Sequence, residues 1–289
     1  MNVMEKGAAS TCFDVLGGTA ESNGSMVLKF LLPALPGRDW VAAGKVNDSP
    51  ADRLAIAQGR PGHILPILCR PDVLGDPLPF PVGLRLVGWP VNIELEVSPK
   101  HESLVHAATC MGQRLLEAAL GRAVGHITDF TPEEFHMQQE HLPVGMPGED
   151  FLDGWKTVRD SSVKIESEVV YPVRAAARYA IEENDRARRM LADLRAYAVS
   201  REEALLWRMG GYLYASHESG RSLGWGGGEA EHIVEVMRGQ SPSRGIYGAR
   251  VSGAHRRGPS AVVILAGEKA LPWLQAWAEE EAPGVGLLH

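Results

Sequence analysis

Near its C-terminus the chain runs Ile246-Tyr-Gly-Ala-Arg-Val-Ser-Gly253, then Ala-His-Arg-Arg-Gly258, then Pro259-Ser-Ala-Val-Val-Ile-Leu265. No other stretch has residue types better suited to chemistry. Two apolar, β-branched runs flank a short link of glycines and arginines, a pattern that predicts a strand–loop–strand hairpin. Converging backbone N–H groups make such a loop a cradle for an anion, and glycine lets the anion come close. Gly253, Arg256, Arg257 and Gly258 are the candidate phosphate-binding residues, with the two guanidiniums as forks on an oxyanion. Side chains at 254–257 oppose this by obstructing the backbone, and Pro259 has no N–H to donate. A solvated turn is the plainer account of Arg256 and Arg257.

Other residue types give less. Among the ten histidines, His101 and His106 are five apart and share no helix face, while His136 and His141 sit near a helix end. None forms His-x-x-x-His or His-Glu-x-x-His, so no protein-ligated metal is expected. Gly224-Trp-Gly-Gly-Gly228 can expose N–H groups to an anion, but a hinge between two helices is the more ordinary use. Neither Gly-x-Gly-x-x-Gly after a strand nor Gly-x-Ser-x-Gly occurs, which leaves dinucleotide-binding and α/β-hydrolase chemistry unsupported. Arginines from Arg186 to Arg195 are expected on the wet face of a long helix, with Met190, Leu191 and Leu194 on its buried side.

The elements that must position these residues change character along the 289 residues. The first hundred are rich in Gly and Pro, with short apolar runs at Ser25–Leu32, His63–Cys69 and Leu84–Trp89 that predict strands. Ser98-Pro99 then starts a helix carrying Leu104, Ala108, Met111 and Leu115 at helical spacing. Further helices are expected over Thr131–Glu140, Gly148–Trp155, Val173–Ala196, Arg201–Ser216 and Glu229–Arg238. The hairpin follows, and a helix over Glu268–Glu280 closes the chain. The expected fold class is α+β, with a β-rich lobe at 1–97 and a helix-rich lobe at 98–289 ending strand–strand–helix.

Composition sets the class. With 45% hydrophobic and 22% charged residues, the chain reads as an ordinary globular protein. A net charge of −7 argues against a nucleic-acid partner. Cys12, Cys69 and Cys110 are unclustered and odd in number, which suits reduced thiols. Met26–Leu35 is apolar but interrupted by Lys29 and Pro33, and no leader is seen, so no membrane and a cytoplasmic location are expected.

Several segments, in order, resemble sugar kinases of the galactokinase–homoserine kinase–mevalonate kinase (GHMP) superfamily, in particular its galactokinase-like and L-arabinokinase-like members. Asp14-Val-Leu-Gly-Gly-Thr-Ala-Glu-Ser-Asn-Gly-Ser25 is similar to their first signature. Tyr171-Pro-Val-Arg-Ala-Ala with Ile181-Glu-Glu-Asn184 resembles their helical C-terminal region. Leu205-Trp-Arg-Met-Gly-Gly-Tyr-Leu-Tyr-Ala-Ser-His-Glu-Ser219 resembles the helix before their last glycine-rich loop, and Tyr247–Gly253 the opening of that loop. The resemblance implies a two-lobed GHMP-kinase-like fold with ATP, Mg²⁺ and a sugar in the cleft. It also implies that Gly18, Glu21 and Asn23 contact the sugar, and that His217 lies on a helix facing the cleft.

Departures from the family pattern are as informative. The Gly- and Ser-rich phosphate loop and the segment bringing the catalytic Asp are missing between Gly24 and Trp89, so the catalytic residues are unknown. Cys12 stands where the family has an Arg, and Glu21-Ser22 where it has the sugar-binding Asp-Tyr. One extra methylene moves the carboxylate by about 1 Å, a shift that can cost about a hundredfold in rate. The expected function is therefore a GHMP-type homologue with weak or absent kinase activity that binds a sugar-like ligand or a protein partner. The alternative is an active ATP-dependent sugar kinase, with Arg256, Arg257 and Gly226–Gly228 supplying the phosphate contacts. Loss of covering helices is further expected to expose apolar surface around Val27–Leu32 and Ile64–Leu68, to be covered in a homodimer or by another subunit.

Overall fold

The structure is a computed structural model and describes residues 10–16, 26–33, 54–55, 57–69, 73–91, 99–240, 244–252, 260–283 and 286–287. The first sheet is antiparallel, in the order β1 (Ser10–Leu16), β2 (Met26–Pro33), β3 (His63–Leu68), β4 (Val73–Leu74), with β5 (Leu78–Pro79) also pairing with β3. A second sheet places β10 (Ser260–Gly267) between β6 (Leu84–Val91) and β9 (Ile246–Ser252). The expected hairpin is present, with Ala261 opposite Ser252. Residues from both sides of position 97 therefore share this sheet. A short ribbon pairs β7 (Met146–Pro147) with β8 (Val170–Tyr171).

β10 explains why its sequence, Ser-Ala-Val-Val-Ile-Leu-Ala-Gly, is apolar without alternation: all eight residues are buried. Side chains on a strand alternate between faces, and both faces here are covered. Val262, Ile264 and Ala266 join one core with residues of α1 (Pro99–Leu120), α6 (Gly228–Gln240) and α7 (Leu271–Glu281). Ala261, Val263 and Leu265 join a second core with β2, β3, the latter half of α4 (Val173–Ser200) and α5 (Glu203–Arg221). Trp89 of β6 is buried against Trp277 of α7, ring centroids 4.6 Å apart.

Local signals set the helix ends. Thr131 caps α2 (Pro132–Gln138): its hydroxyl accepts the Glu134 N–H at 3.1 Å, and the Glu134 carboxylate accepts the Thr131 N–H at 2.9 Å. α3 (Gly148–Trp155) lies where the sequence places it. α4 runs to Ser200, four residues beyond the expected end, and stops where Arg201 takes φ 59°. The last helix is entered through a 3₁₀ turn at Glu268–Ala270. Among the described residues, no helix is long and apolar enough to cross a membrane.

Two expectations are corrected. Leu28, Phe30, Ile64, Leu65 and Ile67 are buried within the chain, and the latter half of α4 and α5 cover Leu28, Phe30 and Ile64. Arg186 is not on the wet face of α4 but 8% exposed, because an acidic neighbour inside the core draws it in.

Candidate functional site

α4 carries Ala176, Ala180, Glu183, Ala187, Met190 and Leu194 on one buried stripe, spaced three or four apart. A carboxylate in that stripe is costly unless it is paired. Glu183 is 0% exposed and fully paired. One oxygen accepts from Ser216 Oγ at 2.6 Å and from Arg250 Nη1 at 2.8 Å; the other accepts from Arg186 Nε at 2.8 Å. Arg186 also reaches Glu182 at 3.1 Å. Burial is the largest influence on the Glu183 carboxyl and favours the neutral acid. Arg186, Arg250 and the Ser216 hydroxyl together outweigh it, and the carboxyl titrates below its ordinary range.

The next residue, Asn184, faces the other sheet. Its Oδ1 accepts the Met26 N–H at 2.9 Å, where the chain enters β2. Glu183 and Asn184 thus hold the bases of two segments: Arg250 lies three residues before Gly253, and Met26 directly follows Ser25. The close approach of α5 to β9 reinforces this placement. A Cβ on Gly210 would lie 1.9 Å from the Tyr247 carbonyl oxygen, and one on Gly248 would lie 2.4 Å from the Gly210 oxygen. Helix and strand therefore meet backbone to backbone, and Ser216 and Arg250 converge on Glu183.

His217, beside Ser216, is 3% exposed, and its Nε2 lies 3.2 Å from Glu231 Oε2. Burial pushes its pKa down, against the pull of Glu231. Glu231 in turn sits under Gly226, where φ is 147° and a Cβ would come within 2.6 Å of Glu231 Oε1. The Gly224–Gly228 stretch is thus the bend between α5 and α6, as the hinge reading has it. A cavity of about 10 Å³ lies among Tyr179, Ser216, His217, Trp225 and Arg250, room for about one water and far too small for a sugar. This network can hold loops in place; its serine hydroxyl is committed as a donor to Glu183.

Gly18, Glu21, Asn23, Gly253, Arg256, Arg257 and Gly258 all lie outside the described residues; the strands at the ends of their segments are described. His101 bonds the Leu223 carbonyl at 2.7 Å and His106 meets Asp160 at 3.4 Å, so the two serve separate contacts. Among the described residues no group of three or more His, Cys, Asp or Glu is placed to hold a metal ion. Glu183, Ser216 and Arg250 were not singled out from sequence. An acidic residue inside the apolar stripe of α4 is the signal that points to them.

No family model matches the chain. Over 248 residues it is 21% identical to the L-arabinokinase of Arabidopsis thaliana, an alignment covering 73% of this chain and 24% of that protein. The chain thus spans about a quarter of the length of this curated relative. Among solved structures it is similar to Lactococcus lactis galactokinase, crystallised in complex with galactose, with a TM-score of 0.62 at 13% identity. That superposition covers 97% of this chain and 90% of the galactokinase. The chain has the α+β fold of that galactokinase, and its sequence is similar to part of that L-arabinokinase.

Proposed function

We propose that the chain binds a monosaccharide of the galactose or arabinose class through its first glycine-rich signature, with ATP phosphotransfer lost or severely weakened. The observation that carries this reading is Arg250. It is the cation three residues before Gly253, yet it is 4% exposed and committed to Glu183 at 2.8 Å. A group so paired anchors the hairpin and has little charge left for a triphosphate. The sequence departures agree: no phosphate loop, Cys12 in place of an Arg, and Ala254–Arg257 in place of glycines. Phosphoryl transfer depends on positioning and charge neutralisation, and three missing contributions leave little of either. Gly253, Arg256, Arg257 and Gly258, which would hold the nucleotide phosphates in an active kinase, lie outside the described residues. The sugar assignment takes its support from the galactose-bound galactokinase and the L-arabinokinase likeness. The division into lobes at 1–97 and 98–289 belongs to the same proposal, with β6 tying one to the other.

A coupled assay with Mg-ATP and a panel of aldoses, beside calorimetric titration of galactose and arabinose, tests it. The expected result is sugar binding without turnover above background, weakened by Glu21→Ala. Robust turnover that Glu21→Ala abolishes overturns the reading, and so does the absence of any sugar binding.

A further inference from the structure

We propose a second ligand site, between α1 and the segment following α3, for a small hydroxylated oxyanion of the sugar-monophosphate class. A cavity of about 290 Å³ opens there, lined by Cys110, Gln113 and Arg114 from the helix and Arg159, Asp160 and Ser161 from the segment. Its volume suits a monosaccharide-sized ligand, at the small end of ordinary pockets.

The chemistry of the lining sets the class. Glu117, with a side chain only 6% exposed, gathers both guanidiniums: Arg159 Nη2 at 3.2 Å and Arg114 Nη1 at 3.3 Å. It also accepts from Gln113 Nε2 at 3.3 Å and the Val124 N–H at 3.1 Å. A carboxylate has about four acceptor positions, so Glu117 is filled. Each guanidinium carries about five N–H groups in a fixed fork, of which Glu117 takes few. Arg114 Nε is buried and finds no acceptor among the described residues. The Arg114 guanidinium lies 5.5 Å from the Trp155 ring centroid, which fixes its plane. Two cations sharing one saturated anion keep N–H groups free for an oxyanion.

Asp160 decides what else the ligand carries. It accepts from the Ser162 hydroxyl at 2.6 Å and the Ser162 N–H at 2.9 Å, contacts that hold its carboxyl below the usual range. His106, at 3.4 Å, is its other partner. An ionised Asp160 repels a bare phosphate but accepts a hydroxyl proton. Ser161 and the Gln113 side-chain oxygen offer further partners for hydroxyls. The ligand that satisfies both ends has its phosphate on Arg114 and Arg159 and its hydroxyls on Asp160. This inference does not depend on the reading of the first signature, and none of the residues used belongs to the Glu183 network.

Calorimetric titration of the full chain with galactose 1-phosphate, inorganic phosphate and galactose tests it. Galactose 1-phosphate is expected to bind more tightly than inorganic phosphate, and free galactose is expected not to displace it. Arg159→Gln, at an exposed position, is expected to weaken binding by about tenfold or more, the loss of one charge-assisted hydrogen bond. Ser161→Asp, also exposed, adds a second negative charge to the lining and is expected to abolish binding. No binding up to about 10 mM, above the millimolar range of weak ligands, overturns the proposal. So does binding that either variant leaves unchanged, inorganic phosphate binding as tightly as the sugar phosphate, or displacement by galactose. A sugar-binding failure at Glu21 leaves all these readings intact, so the two proposals fail separately.

Discussion

Replacing Glu183 with Gln keeps the side-chain volume and one carbonyl oxygen but removes the charge that two buried arginines face. Arg186 retains Glu182 at 3.1 Å, whereas Arg250, with a side chain 5% exposed, keeps only the Val251 carbonyl at 3.1 Å among the described residues. Removing one partner of a buried ion pair costs about 3–5 kcal/mol, mostly because the other charge is left uncompensated. For a chain of this size each kcal/mol lowers the melting temperature by about 2–4 °C, so a loss on the order of 10 °C is expected. Urea unfolding followed by circular dichroism, together with scanning calorimetry, measures both quantities. The double variant Glu183→Gln/Arg250→Met removes the stranded charge and is expected to recover most of the loss. The acid limb supplies an independent check. The native carboxyl titrates below the ordinary value of 4.5, so its contribution is complete above that pH and fades as pH falls through the depressed native value. Glu183→Gln should therefore flatten the stability profile below pH 4.5. A single variant within about 1 kcal/mol of the parent, or a double variant no better than the single, would refute the reasoning.

Neighbouring glycines of α5 should respond with opposite signs. Gly210→Ala gains about 1 kcal/mol of helix propensity but drives a methyl into the Tyr247 carbonyl, where neither backbone can give, so a net loss of about 2 kcal/mol is expected in urea unfolding. Gly211→Ala meets nothing within 4 Å and should stabilise by up to about 1 kcal/mol; equal effects at the two positions would remove the argument for backbone contact. Burial depresses the His217 pKa below 6.5, so the unfolded chain takes up a proton first and native stability falls as pH drops through 6.5. His217→Gln should lessen that slope, and an unchanged slope by calorimetry across the window would exclude the histidine as its source.

Much of the fold was legible because its signals are local. The Thr131 capping box, the helix at Gly148–Trp155 and the apolar runs of β9 and β10 each depend on a few adjacent residues, and each lies close to its expected place. The pairing of β6 with β10 is different. It joins residues 84–91 to 260–267, and nothing in either run names its partner. Burial of Leu28 and Ile64 was misjudged for a related reason. Whether an apolar strand is covered depends on elements remote in sequence, here the latter half of α4 and α5.

The site divides along the same line. Glycine-rich loops announce themselves, because composition alone marks where a backbone can approach a ligand. What holds such loops is silent in composition: by sequence Arg186 reads as one more surface arginine, whereas in the core it pairs with Glu183. Charge in an amphipathic helix is informative by its phase rather than its amount. Glu183 repeats at the spacing of Ala176, Ala180, Ala187 and Met190, and a carboxylate on that face must have cations brought to it from elsewhere in the chain. Arg250 is such a cation, supplied by a strand 67 residues away. An arginine bound this way is unavailable to a nucleotide however close it lies to the loop. The spacing of Glu183 along α4 therefore bears on the proposed function, because it commits the Arg250 guanidinium to the core.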